Sequence, residues 1–120
     1  MWTEIKEMQE YLEIETSDDP NEICERIRTI NVYMARSSRL LAEARAHRRK
    51  SERDTFDLFP DFHNVPANTL KKYLEVRAYE WYEIEDALEN LYKTCVHALD
   101  SLRSLLSYTK EDMRLSRSGN

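Results

Sequence analysis

The sequence predicts an all-α protein: a short N-terminal helix followed by a long antiparallel helical hairpin, coiled-coil-like and self-associating. Three observations predict it. The only glycine in 120 residues is Gly119. Glycine alone reaches positive φ without steric penalty, so tight hairpins, phosphate-cradling loops and nucleophile elbows have almost nothing to build from. Apolar residues recur at alternating spacings of four and three along two long stretches, the period of a helical seam. Charged residues form 34% of the chain, beside plentiful Leu, Glu, Arg and Ala, a composition that suits solvated helices better than strands.

Each element follows in order within one domain, 1–120. Residues 3–16 form a short amphipathic helix, with Trp2, Ile5, Met8 and Leu12 on one face and Glu4, Glu7, Glu10 and Glu13 on another. Ser17-Asp18-Asp19-Pro20 stops it and starts the next: Asp19 suits an N-cap, Pro20 the first helical position, and Glu22 meets the positive end of the dipole. The second helix spans 20–53, with Ile23, Ile27, Ile30, Met34, Ser37, Leu41 and Ala44 as its seam and one polar step at Ser37. Residues 54–67 are a connecting segment, because Pro60 and Pro66 forbid a long helix there. Its Phe56, Leu58, Phe59, Phe62 and Val65 are expected to fold over the end of the hairpin as an aromatic plug. The last helix spans 68–113, with a bend allowed near residues 76–80. Its seam is Leu88, Tyr92, Cys95, Leu99, Leu102, Leu106 and Met113. Residues 114–120 are a frayed tail.

The net charge of −5 conceals segregation. Residues 1–25 hold nine acids and one lysine, 26–53 hold nine bases and two acids, and 71–90 turn acidic again. Such blocks arrange helix faces, complement a neighbouring subunit or mark a surface for an anionic ligand. No apolar run approaches the roughly 18–20 residues that span a bilayer. Met1-Trp2-Thr3-Glu4 does not begin a secretory signal. A cytoplasmic protein with no membrane partner is expected. Cys24 and Cys95 have no neighbouring partner and read as free thiols. Two long helices leave part of each apolar stripe exposed, and the first helix can cover only part of the remainder, so a dimer or tetramer is expected.

Two clusters are candidates for phosphate binding. Arg45, Arg48, Arg49 and Lys50 close the second helix, and guanidinium groups fork onto phosphate oxygens. Against this, cations at a helix C-terminus also serve the dipole and solvent. On the last helix His97, Asp100, Ser104, Ser107 and Glu111 form a polar stripe. Arg103, Ser107 and Lys110, at i, i+4 and i+7, can converge on an anion or on another subunit's carboxylate. The plain alternative is a solvated face satisfied by local pairs such as Asp100 with Arg103. No catalytic set, cofactor or metal site is expected. Cys95 and His97 point apart on a helix, and His47 could face only Glu43. One enzyme pattern is weighed: Glu4-x-x-Glu7, a spacer, and Glu22-x-x-Glu25 resemble the magnesium-holding E-x-x-E, spacer, E-x-x-D of MazG-type nucleotide pyrophosphatases. The final position departs from that pattern, being Glu.

The run from Thr94 to Met113 resembles the C-terminal helix of a group of small uncharacterised phage and prophage proteins. That helix reads T-C-x-H-x-(I/L)-D-x-(I/L)-R-(T/S)-(I/L)-(I/L)-S-x-x-K-E-(D/E)-M. Leu40-Leu41-Ala42-Glu43-Ala44 also looks like that group, whereas Tyr92 stands where it would carry Asn. The resemblance implies a mobile-element origin, near recombination or other accessory genes, in the cytoplasm of a host cell. It implies no particular activity. The expected function is therefore a non-enzymatic phage accessory protein, a homo-oligomer binding a phosphate-bearing ligand. That ligand is nucleic acid in a recombination module, or a nucleotide signal sequestered as an anti-defence sponge. The alternatives are a structural oligomer that inhibits a host defence protein and, less favoured, the MazG-like pyrophosphatase.

Overall fold

The computed structural model describes residues 1–58 and 64–118. It is all-helical among those residues, with α1 (Trp2–Glu13), α2 (Pro20–Leu58), α3 (Ala67–Arg77) and α4 (Tyr79–Ser118). The molecule is a rod with extents of 82 × 24 × 18 Å. α2 and α4 run antiparallel along it, and α1 lies across their groove, antiparallel to α2 and parallel to α4.

Pro20 begins α2 because its missing N–H needs no partner there, and the Asp19 carbonyl accepts the first helical bond from the Ile23 N–H at 2.9 Å. α1 ends three residues earlier than expected, where Ile14 turns extended at φ −70°, ψ 130°. α2 continues through Leu58 rather than stopping at Arg53. Nothing from Asp54 to Leu58 breaks a helix, and the Thr55 hydroxyl donates to the Ser51 carbonyl at 2.8 Å inside this last stretch. The expected plug changes accordingly: Phe56 and Leu58 are helical and 48% and 73% exposed, while Phe59 and Phe62 lie outside the described residues. The expected single helix over 68–113 is two helices. Ala78, at φ −99°, ψ 15°, bends the chain while its N–H still reaches the Leu74 carbonyl and its own carbonyl accepts from Trp81 and Tyr82. Ala78 is fully buried, and a small side chain lets the bend close. At the other end the helix persists to Ser118 instead of fraying from Arg114, supported by a paired Arg114–Glu111 contact.

The core is two clusters along one seam. Ile5 and Met8 of α1 pack with Leu40 and Ala44 of α2 and Ile84, Leu88 and Leu91 of α4. Further along, Ile23 and Ile30 meet Cys95, Leu99 and Leu102. The stripes expected to draw copies together are thus closed within one chain: Ile23, Ile30, Leu88 and Cys95 have no exposed surface. Each such aliphatic chain contributes roughly 1.5–3 kcal/mol when removed from water. The polar step at Ser37 is satisfied in place, its hydroxyl donating to the Tyr33 carbonyl at 2.8 Å.

α1 is fastened by charge as well as by packing. Arg36 holds Glu4 through two bonds, 2.9 and 2.7 Å, and Arg26 reaches the last carbonyls of α1 at Tyr11 and Leu12. The Arg36 hydrogen bond holds the Glu4 carboxyl below its usual range. A carboxyl depressed in the folded state stabilises it above the unfolded pKa of about 4.3 and loses that contribution as pH falls through the folded value. Urea melts should therefore show the wild type losing stability more steeply than Glu4→Gln below about pH 4.3. At neutral pH the seam dominates: Leu88→Ala should cost roughly 2–5 kcal/mol in the same melts. Val32→Ala, on the exposed side of α2, should stay within about 0.5 kcal/mol.

Candidate functional site

Folding splits the basic end of α2 into two groups. Arg45 and Arg48 turn toward α4. Arg48 Nε donates to Glu85 Oε2 at 2.7 Å, Arg45 Nε stands 3.6 Å from Glu85 Oε1, and Arg45 Nη2 donates to Glu89 Oε1 at 3.2 Å. Glu85 is the hub, with a side chain only 8% exposed. A carboxylate this buried needs paired cations to offset its lost hydration. Around it the Tyr82 hydroxyl donates to Glu52 Oε1 at 2.6 Å, and the Arg48 guanidinium lies 4.9 Å over the Tyr82 ring. Burial would lower the Arg48 pKa, but the Glu85 hydrogen bond and charge outweigh it and the net shift is upward. Burial and the bond to Glu52 raise the Tyr82 phenol. Both groups therefore keep the protons their bonds require. Two of the four cations of this expected phosphate-binding cluster are thus paired with carboxylates of α4.

Arg49 and Lys50 face outward. With Ala46 and Arg53 they line an open groove of about 370 Å³, and all four are exposed. Among the described residues no carboxylate forms an ion pair with Arg49, Lys50 or Arg53.

The second expected cluster stands elsewhere. Arg103, Ser107 and Lys110 are exposed on the part of α4 that packs against the start of α2. Eighteen residues separate Arg103 from Glu85, roughly 27 Å along the helix, so one chain does not bring the two clusters together. His97 and Asp100 are also exposed. Arg103 comes only within 3.9 Å of Asp100, both largely in water, a geometry that contributes little. Cys95 and His97 do point apart: Cys95 is buried and burial raises its thiol pKa, while His97 faces solvent. His47 does not turn to Glu43, which pairs with Arg39; it stacks on Trp81 with ring centroids 4.5 Å apart. The carboxylates of the pyrophosphatase-like pattern do not converge, since Glu4 is held by Arg36, fourteen residues along α2 from Glu22. Among the described residues no group of three or more His, Cys, Asp or Glu is placed to hold a metal ion.

The residues that sequence reasoning did not single out are Glu85, Glu89 and Glu52. Their signal was indirect. Glu85 follows Ile84 beside the seam, and Glu85 and Glu89 of the acidic block come to face Arg45 and Arg48, at the end of the basic block, once the hairpin closes. Flanking charges beside a seam pair across helices.

No family model, curated protein or solved structure matches the chain. Among the described residues no helix is long and apolar enough to cross a membrane.

A double-mutant cycle separates the internal cations from the solvated ones. Arg48→Ala with Glu85→Ala should show a coupling of roughly 1–3 kcal/mol in urea melts. Arg103→Ala with Asp100→Ala should show less than about 0.5 kcal/mol.

Proposed function

We propose that this chain is a non-enzymatic accessory protein whose exposed basic strip on α2, Arg49, Lys50 and Arg53, binds the phosphate backbone of a nucleic acid. The observation that carries the reading is the division of the basic end. Arg45 and Arg48 are satisfied by Glu85, while Arg49, Lys50 and Arg53 line an open groove without a carboxylate partner among the described residues. Three cations spread over one turn of an outward helix face suit an extended polyanion. A small nucleotide sequestered as a signal calls instead for a concave site that encloses most of the ligand. Arg103, Ser107 and Lys110, roughly 27 to 38 Å along the rod from the level of Glu85, would join only on a strand long enough to reach them. The phage resemblance of the C-terminal helix agrees with such an accessory role.

A structural, protein-binding role, including inhibition of a defence protein, has its own support. Val76 and Tyr79 are 73% and 60% exposed beside an open groove of about 480 Å³ that Lys72, Glu75 and Tyr82 complete.

Fluorescence anisotropy with a labelled oligonucleotide distinguishes the two. Neutralising about three phosphates gives a log–log salt slope near −2 on a single strand and near −3 on a duplex. Affinity should rise with strand length and vanish when Arg49, Lys50 and Arg53 are all replaced by Glu, with helicity unchanged. No binding at low salt, or binding that survives the triple replacement, overturns the nucleic-acid reading. Stoichiometric nucleotide binding with a large thermal shift would replace it with the sequestration role.

A further inference from the structure

The cations of α2 outnumber those that the fold uses. Of the nine between residues 26 and 53, four turn inward: Arg26 and Arg36 hold α1, and Arg45 and Arg48 hold α4. The other five are exposed, and they are not scattered. Arg28, Arg39 and Lys50 stand eleven residues apart. Eleven residues make almost three whole turns, about 16.5 Å of rise, so the three fall in one row along the face away from the seam. Arg49 and Arg53 flank Lys50. The first interval carries exposed Val32 and Ala35, the second exposed Ala42 and Ala46. Between Arg28 and Arg53 the only exposed carboxylate on α2 is Glu43. It approaches Arg39 at 3.7 Å while 75% of that arginine side chain stays in water, a pairing that contributes little. Among the described residues no carboxylate pairs with Arg28, Arg49, Lys50 or Arg53. Exposed Glu25 and Asp57 close the row at its two ends, leaving it about 37 Å long.

We propose that this row binds a nucleic-acid duplex laid lengthwise along α2, its charged positions meeting successive phosphate backbones over one turn. This rests on the reading of Arg49, Lys50 and Arg53 as a phosphate-binding strip, and extends it by Arg39 and Arg28. The spacing selects the occupant. A duplex turns once in about 34–36 Å, and a line along its side crosses two backbones in that length, one about every 17 Å on average. The row has the same length and nearly the same interval. Unequal grooves displace alternate crossings, by less than an extended arginine side chain reaches. Val32, Ala35, Ala42 and Ala46 then stand over the grooves, where no phosphate calls for a cation and short side chains let the backbones come close to α2. A single strand presents a phosphate at every nucleotide and is served better by charge without such gaps. A flat anionic surface has no period to match. The net charge of −5 confines attraction for a polyanion to faces such as this one.

Fluorescence anisotropy tests it with three labelled probes: a duplex of about twelve base pairs, just over one turn, a hairpin whose stem is half that length, and a single strand as long as the duplex. Five cations should give the duplex a log–log salt slope of about −4.5. The short stem reaches only Arg49, Lys50 and Arg53 and should give about −3. Arg28→Gln with Arg39→Gln should bring the duplex to the slope of the short stem and weaken it roughly tenfold or more at about 0.1 M salt. Far-UV circular dichroism should not change, because both side chains are exposed. Glu43→Gln, which releases Arg39, should tighten the duplex and leave the short stem as it was. A double replacement that alters neither slope nor affinity overturns the inference while the reading of the strip stands. A single strand bound as tightly as the duplex overturns it too, as do phosphatidylserine vesicles that compete with the duplex on equal terms. A wild type that binds none of the probes removes this inference together with the reading on which it rests.

Discussion

The seam between α2 and α4 is the constraint on which the rest of the molecule depends. Burial at alternating spacings of four and three can hold two antiparallel helices over their length only in one register. In that register Ala44 meets the Ile84–Leu91 stretch, and Ile23 and Ile30 meet Leu99 and Leu102. Once it is set, every flanking side chain has a defined neighbour. Arg48 arrives beside Glu85, and Glu52 beside Tyr82. α1 then finds a groove whose floor is already apolar, and Arg36 and Arg26 hold it there by one carboxylate and two helix-end carbonyls.

Charge is sorted by the same register. The arginines nearest the seam lose water and are compensated from α4; those one step around the helix keep water and remain available. The difference between Arg48 and Arg49 is one residue of sequence and about 100° of helix rotation. It separates a group that stabilises the hairpin from one that can meet a ligand. The rod also separates its surfaces by length: an exposed basic strip lies toward the α3 end, and the acidic turn between α1 and α2 lies toward the other. A compact bundle of the same size would have brought these together.

Much of this was legible beforehand. Gly119 as the only glycine, Pro20 as a helix start and the Ile23–Ala44 spacing pointed to long helices and an antiparallel pair, and those are local properties that a helix expresses wherever it lies. The ends were less legible. Nothing before Pro60 required α2 to stop at Arg53, and the choice depended on whether Phe56 and Leu58 would rather be buried than helical; the helix kept them in water. The bend at Ala78 was only approximately placed, because alanine breaks no rule locally and its place there comes from burial that the packing of α3 and α4 creates.

The sequence by itself determined the helical architecture, the polarity of each helix and the periodic face each one buries, because hydrogen bonding at i to i−4 and side-chain period are short-range properties. It could not determine which copy of the chain closes the seam, since an apolar stripe is equally served by its own hairpin partner or by another molecule. The tertiary structure decided much of that: α2 and α4 satisfy one another along the seam, while other apolar side chains, Val76, Tyr79 and Tyr108 among them, stay exposed. It also decided which cations are spent and which are free, because a guanidinium is neutralised by whatever carboxylate the fold brings within about 3 Å, and that distance is a product of packing between residues 37 positions apart.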